Sequence, residues 1–516
     1  MSAPPYLLHH LLEAAVAAGP GRPALIDGTR RMDYAAFGAA STGCARRLRA
    51  AGLQRGDRVA IVLPKSIEEC WAIFGISAAD GVFVPINPLL KPEQMRHIID
   101  DAGAKIIVTN GASIDALRAM FAGRAAGPLL LDTGEASWPA TASDETALDN
   151  AAIGEDLAAI LYTSGSTGRP KGVMLSHRNL LAGTRIVRTY LGIEPHDRIL
   201  SVLPFSFDYG LNQLLTAVEQ GAVTALLTFR FGDEIVHAIR EHDITGLAGV
   251  PTVWAILTRA APALAKSPPP ALRYITNSGG AVPTQTVQRL RELMPDTRIF
   301  LMYGLTEAFR STYLPPEEID RRPTSIGKAI PECEVFAVTP DGRRTRPGEP
   351  GILVHRGPTV SLGYWNRPED TARVIRPNPV MPAERGGEPV CYSGDIVTQD
   401  DDGYFYFVGR GDAMIKSAGY RISPTEVEEV LMATGAFRQI AVIGLPDAVA
   451  GQRVHAVGVA ADGSIDIPCT LKSAAEHLAS FMVPRAIELV DALPTTANGK
   501  VDYQLLVRQR AGHAER

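Results

Sequence analysis

Residues Tyr162–Gly172 read Tyr-Thr-Ser-Gly-Ser-Thr-Gly-Arg-Pro-Lys-Gly, with apolar runs at Leu157–Leu161 and Val173–Leu175 on either side. Taken alone, a Gly/Ser/Thr cluster between two apolar runs is a hairpin turn. Its spacing differs from the G-x-x-x-x-G-K-[ST] phosphate loop. Its chemistry nevertheless points to an anion. Gly165 and Gly168 allow close approach of backbone to a ligand. Thr163, Ser164, Ser166 and Thr167 supply hydroxyls, and Lys171 supplies a mobile cation. Successive N–H groups in such a turn form a nest for phosphate oxygens.

A chain of 516 residues exceeds one ordinary core and implies two or more domains. With 46% hydrophobic and 21% charged residues, its composition is that of an ordinary globular protein. A net charge of −5 gives no electrostatic case for a nucleic-acid partner. Cys44, Cys70, Cys333, Cys391 and Cys469 are scattered, without a CxxC pair, which favours buried thiols over disulfides or zinc. Met1–Pro20 lacks a basic segment ahead of its apolar stretch, and no apolar run reaches the length of a membrane span. The expected location is cytoplasmic.

Periodicity predicts an α/β fold. Helices at Leu7–Val16, after Met32-Asp33-Tyr34 to about Ala51, at Ile67–Ala79 and at Pro92–Ala102 alternate with strands at Arg22–Asp27, Arg58–Leu63, Val82–Ile86 and Lys105–Thr109. That alternation argues for a parallel sheet covered on both faces. Alternation resumes at Val223–Leu227, Asp233–His242 and Gly246–Thr252. From Ile326 to Gly363 strands and Gly/Pro turns suggest a small antiparallel sheet or barrel. His177, at the start of a helix, reads as a capping or structural residue.

Several further strings carry chemistry. Tyr303-Gly304-Leu305-Thr306-Glu307 offers a ring face for a base, a hydroxyl for a phosphate oxygen and a hard oxygen ligand for Mg²⁺. Asp395, in Tyr-Ser-Gly-Asp, has two oxygens suited to paired ribose hydroxyls, although alone it reads as a β-turn Asp. Asp208, in Leu-Pro-Phe-Ser-Phe-Asp-Tyr-Gly-Leu-Asn, suits a helix N-terminus equally well. Asn277-Ser278-Gly279-Gly280-Ala281 lets a flat ring lie on backbone, or simply turns the chain. Gly409–Arg421 and Pro494–Asp502, the latter containing Asn498-Gly499-Lys500, complete the set.

In this order the strings resemble the signature motifs of the adenylate-forming superfamily, which includes acyl-CoA synthetases, adenylation domains of peptide synthetases and luciferases. The resemblance spans Gly81 to Asp502. It implies a large N-terminal domain of mixed sheets and helices with a β-barrel-like subdomain, residues 1–411, and a mobile C-terminal α+β lid, 412–516, hinged at Asp412. It implies ATP/AMP held by Thr163–Gly168, Lys171, Gly279, Gly280, Ala281, Tyr303, Gly304, Asp395 and Arg410. Mg²⁺ would sit on Glu307, with Thr306, Glu307 and Lys500 as the catalytic set. Lys416 and Gly419 would serve the later thiol step, when Lys500 has left. The acceptor is CoA or a carrier-protein phosphopantetheine.

Counted in register with the family, the acid pocket comprises Phe207, Asp208, Tyr209, Asn212, Thr276, Ser278, Met302, Arg310 and Ser311. Two positions depart from common patterns. Leu301 stands where many relatives have Asn or Gln, and Phe207 where many acyl- and aryl-CoA synthetases have His. The Phe207-Asp208 pair resembles the amino-acid-activating members, in which the Asp holds an α-ammonium. The expected substrate is therefore a small amino acid. The alternative is a short or medium acyl acid; Asp208 disfavours a long alkyl chain. Arg310 either faces a substrate side group or solvent, or neutralises Asp208. A non-catalytic binding relative would be expected to lack Lys500 or Glu307. Asn-Ser-Gly-Gly-Ala and the run Tyr303–Pro316 further resemble the ligase-like branch associated with exosortase systems.

Overall fold

The computed structural model describes residues 4–124, 127–134, 148–163, 169–260, 264, 266, 269–280, 282, 284–382, 387–410, 415–422, 424–461, 465–494 and 503–511. Among these residues the strands form three sheets, and the chain is a mixed α/β protein with a large N-terminal part and a small C-terminal one.

The first sheet has six strands, in the spatial order Leu129–Asp132, Ile106–Thr109, Arg58–Val62, Val82–Pro85, Leu157–Thr163 and Lys171–Ser176. Its central strands are apolar on both faces and pair in parallel, as their uninterrupted Val/Ile runs require. The last pair is antiparallel, with Thr163 opposite Lys171. Residues 164–168 therefore link the two strands of a hairpin, and they lie outside the described residues.

The second sheet has fourteen strands. Val223–Leu226, Arg198–Ser201, Gly246–Gly249, Tyr274–Asn277 and Arg298–Leu305 run parallel. Arg298–Leu305 then folds back antiparallel on Ala308–Leu314. The small antiparallel region expected from the sequence lies beyond, and it is continuous with the main sheet. Ser325–Ala329 pairs with Ala308–Leu314 on one edge and with Phe405–Arg410 on the other, which joins them to the main sheet. Gly327 permits this junction: its φ is +90°, and a Cβ there would run into the backbone at Tyr313.

The two larger sheets are held by buried side chains such as Tyr34, Phe37, Phe74, Phe205 and Trp254. Each contributes about 1.5–3 kcal/mol through removal from water. Helix starts are fixed locally. Ser176 accepts from the Asn179 N–H, and Asp33 from the Ala36 N–H. His177 is structural: its Nδ1 accepts from the Leu8 N–H at 3.0 Å within the core.

The third sheet has five strands and belongs to the C-terminal part, where Phe437–Asp447 and Gly451–Ala460 make a long hairpin with its own apolar core. This part packs on the helix Pro92–Ala102. Gln94 donates to Glu426 at 3.0 Å, and Leu90 joins the C-terminal core.

Candidate active site between the two parts

Parallel α/β sheets bind ligands beyond the carboxyl ends of their strands. A cavity of about 170 Å³ lies there, lined by Phe207, Asp208, Ser278, Gly279, Gly304–Thr306, Arg310, Thr163 and, from the C-terminal part, Gly419, Tyr420 and Phe481. Two roomier clefts, each about 500 Å³, open elsewhere. Several charges in those clefts are paired, Arg124 with Asp100, Lys105 with Asp57 and Arg273 with Asp197. The smaller cavity gathers residues from several of the sequence strings.

On the expected nucleotide side, the polar groups are held by the protein itself. The Tyr303 hydroxyl donates to Asp395, and its ring stacks on His355 at 6.1 Å. Glu307 accepts at Oε1 from the Tyr364 hydroxyl at 2.6 Å. Its other oxygen, Oε2, is buried and has no hydrogen-bond partner among the described residues. One open carboxylate oxygen suits Mg²⁺, which binds proteins through one or two carboxylates and completes its shell with phosphate and water. Among the described residues no group of three or more His, Cys, Asp or Glu could hold a metal by itself.

Lys171 is not the mobile cation its place beyond a loop suggested. It is buried, its Nζ lies 2.9 Å from Asp370, and it sits over the Tyr364 ring. The hairpin pairing carries its side chain inward, where a lysine without an anion would be costly. Gly304 is required where it stands, because a Cβ would lie 2.7 Å from the Arg310 N.

On the acid side, Asp208 occupies the first turn of the helix Asp208–Gln220, where the helix dipole favours an anion, and its Oδ1 accepts from the Tyr209 N–H at 2.9 Å. Tyr209 is buried behind it and bonds Thr276 through its hydroxyl. Arg310 is 2% exposed, in a bulge of the hairpin at φ +47°. Its guanidinium lies 3.9 Å from the Tyr209 ring centre, and Nη1 donates to Ser278 at 3.1 Å. Arg310 is thus buried away from bulk solvent and lines the same cavity as Asp208. The Phe309 ring also lies close to the guanidinium, at 4.7 Å.

Asn212 is buried beside a small void that it shares with Asp208. Met302 and Ser311, expected in the pocket, do not line the cavity. Strand alternation turns Met302 into the core, where the Tyr190 hydroxyl meets its sulfur, and the Ser311 hydroxyl is spent on the Ala308 carbonyl.

Gly419 brings the C-terminal part to the cavity. Its φ is +82°, and a Cβ would lie 2.8 Å from the Val250 side chain. Neighbouring Tyr420 stacks on Phe481 at 3.7 Å to form the far wall. Lys416 lies over the Phe407 ring at 4.4 Å. Gly280 packs near Pro251, and the Arg410 backbone pairs with Asp395. Ser164–Gly168, Ala281, Asp412 and Lys500 fall outside the described residues.

Tyr364, Asp370 and His355 escaped sequence reasoning. They hold Glu307, Lys171 and Tyr303 respectively, across 57, 199 and 52 positions of chain. No local spacing announces such pairs. Burial holds His355 neutral, with its pKa lowered to about 4.

The family model described as "AMP-binding enzyme" matches residues 12–365, and that described as "AMP-binding enzyme C-terminal domain" matches residues 426–500. A feruloyl-CoA synthase of Amycolatopsis sp. is 34% identical over 96% of both chains. Surfactin synthase subunit 2 of Bacillus subtilis is 28% identical over 98% of this chain, which spans 14% of that protein. Among solved structures, a double mutant of o-succinylbenzoate CoA synthetase from Bacillus subtilis, bound with its product analogue, superposes with a TM-score of 0.85 at 26% identity, covering 96% of this chain and 97% of the other. The same synthetase in complex with its acyl-adenylate intermediate superposes at 0.71, with the same identity and coverage.

Proposed function

Because the chain belongs to the AMP-binding enzyme family, we propose that its activity as an AMP-forming acid–thiol ligase takes place in two steps at the cavity between Arg310 and Tyr420. A carboxylate is a poor acyl donor because oxide is a poor leaving group. In the first step a carboxylate oxygen attacks the α-phosphorus of ATP, the α–β phosphoanhydride bond breaks, and pyrophosphate leaves. In the second a thiol sulfur attacks the acyl carbon, the bond to AMP breaks, and the thiol proton passes to water.

Negative charge that develops on phosphate must meet donors already in place. We assign Thr306 and the Thr163–Thr167 hydroxyls to phosphate oxygens, Lys500 to the carboxylate and α-phosphate, and Asp395 to the ribose. Glu307 Oε2 would hold Mg²⁺, which supplies charge neutralisation on the phosphates when bound. Lys171, tied to Asp370, anchors the base of the loop and lends its charge toward pyrophosphate from there. Domains 1–411 and 412–516 turn about Asp412 between the steps. Gly419 and Tyr420 at the cavity, with the better superposition on a product-analogue complex, support a thiol-transfer arrangement for this structure.

The observation that carries the reading is the meeting of Thr306, the Phe207–Asp208 pair and Gly419–Tyr420 around one cavity. The acid is small, and Asp208 receives an ammonium group on it. A short acyl acid without nitrogen is the second reading, favoured by the greater identity to a CoA synthase than to a peptide synthetase subunit. CoA is the acceptor this greater identity favours. Pyrophosphate release across a panel of free acids and amino acids, with and without CoA, tests the whole. The expected result is release that depends on one class of small acid; acid-independent release contradicts the proposal.

A further inference from the structure

Arg310 is a charged side chain with almost no exposure, yet its Nε and Nη2 have no hydrogen-bond partner among the described residues. A guanidinium cannot shed its proton to escape burial. Buried charges are paired in folded proteins, and an unpaired one is retained only where something else compensates. The Tyr209 ring at 3.9 Å and the single bond to Ser278 supply part of that compensation. Nε and Nη2 stay buried and without a partner among the described residues, in a side chain that lines the cavity.

The backbone tells the same story independently. Arg310 adopts φ +47°, a conformation that non-glycine residues rarely occupy. It is held there by the bulge between Tyr303 and Leu305, with its own backbone packed against Gly304. A strained backbone that places an unpaired charge in a cavity marks a site with a ligand to meet.

We propose that Arg310 reads a second carboxylate on the substrate, so that the acid activated is a short dicarboxylic acid or its amino derivative. One carboxylate goes to the adenylation chemistry at Thr306, and the other accepts from Nε and Nη2 of Arg310. The fork of a guanidinium matches two carboxylate oxygens, which a lysine could not do. Asp208 lines the same cavity as Arg310 and sets the preference for or against an α-ammonium. The acid shares this cavity with Asp208, Ser278 and Thr306. This inference rests on the ligase reading above and specifies its substrate.

The experiment measures pyrophosphate release with succinate, glutarate and adipate, with butyrate, valerate and hexanoate, and with aspartate, glutamate, alanine and norvaline. The expected result is a kcat/KM for a diacid at least about 100-fold above that of the monoacid of equal length, because a site built to bond a polar group rejects analogues that lack it. Arg310→Met is expected to abolish that ratio, and Arg310→Lys to restore only part of it. Isothermal titration of ATP into each variant confirms that the nucleotide side is intact. A wild type that prefers monoacids, or fails with every diacid, overturns the inference, as does an Arg310→Met variant with an unchanged ratio. Release with monoacids alone leaves the ligase reading standing, whereas no acid-dependent release at all removes that reading too.

Discussion

The two ends of the cavity treat charge differently. At the expected nucleotide end, Asp395 takes the Tyr303 hydroxyl, Glu307 takes that of Tyr364, and Lys171 pairs with Asp370. Glu307 keeps one acceptor, Oε2, without a partner among the described residues, and at the acid end Arg310 keeps two such donors, Nε and Nη2. A site that must accept the same nucleotide every time gains from groups fixed in advance. A site that must choose its acid gains from a charge that only the right acid neutralises. Fixed partners position the groups at the nucleotide end, and the unpartnered atoms, an acceptor on Glu307 and donors on Arg310, differ in sign between the two ends.

The sharpest way to break this division is to remove the cation assigned to the first step alone. Lys500→Ala is expected to lower acid-dependent pyrophosphate release about 1,000-fold while sparing transfer from a synthetic acyl-adenylate to CoA. Equal losses in both half-reactions would show that the assignment to one step is wrong. At the selecting end, Asp208→Asn is expected to raise KM for an amino acid about 100-fold or more, since breaking a buried ammonium–carboxylate pair costs roughly 3–5 kcal/mol. KM for the des-amino acid should barely move. Should the wild type already prefer the des-amino acid, Asp208 does not hold an ammonium.

Much of this site was legible because the fold repeats local rules. Alternating Val/Ile strands and amphipathic helices between Arg22 and Thr109 expose the parallel sheet, and the motif strings fall at strand ends where ligands bind. Phe207–Asp208, Ser278–Gly279, Thr306 and Arg310 do meet in one cavity. What the chain hides is set by tertiary pairing. Lys171 looks mobile until the hairpin register turns it toward Asp370, and Met302 looks like pocket lining until alternation turns it to Tyr190. The junction of the small antiparallel region with the main sheet is hidden because nothing in Ser325–Ala329 reveals that both its edges are used.

The C-terminal wall separates the two steps in another way. Gly419→Ala puts a Cβ 2.8 Å from Val250 at a φ of +82°. Thiol transfer is expected to fall about tenfold to 100-fold, with the acid-dependent exchange of pyrophosphate into ATP retained, because strain of this kind costs about 1–3 kcal/mol. Loss of the exchange reaction as well would place Gly419 in both arrangements. On the fixed end, Tyr364→Phe frees Glu307 Oε1 and should reduce adenylation only about tenfold. A raised requirement for Mg²⁺ in that variant would confirm that the tyrosine positions the carboxylate, and an unchanged one would exclude it.

The smallest effect concerns stability. Burial lowers the pKa of His9 to about 3, and those of His177 and His355 to about 4. The unfolded chain, with imidazoles near about 6.5, then binds more protons than the folded one below that pH. Stability is fully present above about pH 6.5 and is lost as pH falls toward 4, by up to about 1.4 kcal/mol per pH unit for each histidine. Urea unfolding at pH 7 and pH 5 measures this, and His355→Phe should shrink the difference. A midpoint that does not change with pH would mean these imidazoles are not held neutral.

The central claim is that one cavity serves both half-reactions in sequence. Rapid mixing of the enzyme with ATP, Mg²⁺ and the preferred acid, without any thiol, tests it most directly. The account predicts a burst of about one equivalent of pyrophosphate per chain, with AMP and thioester appearing only when CoA is added. Release of ADP and phosphate, or no pyrophosphate until CoA is present, would contradict it.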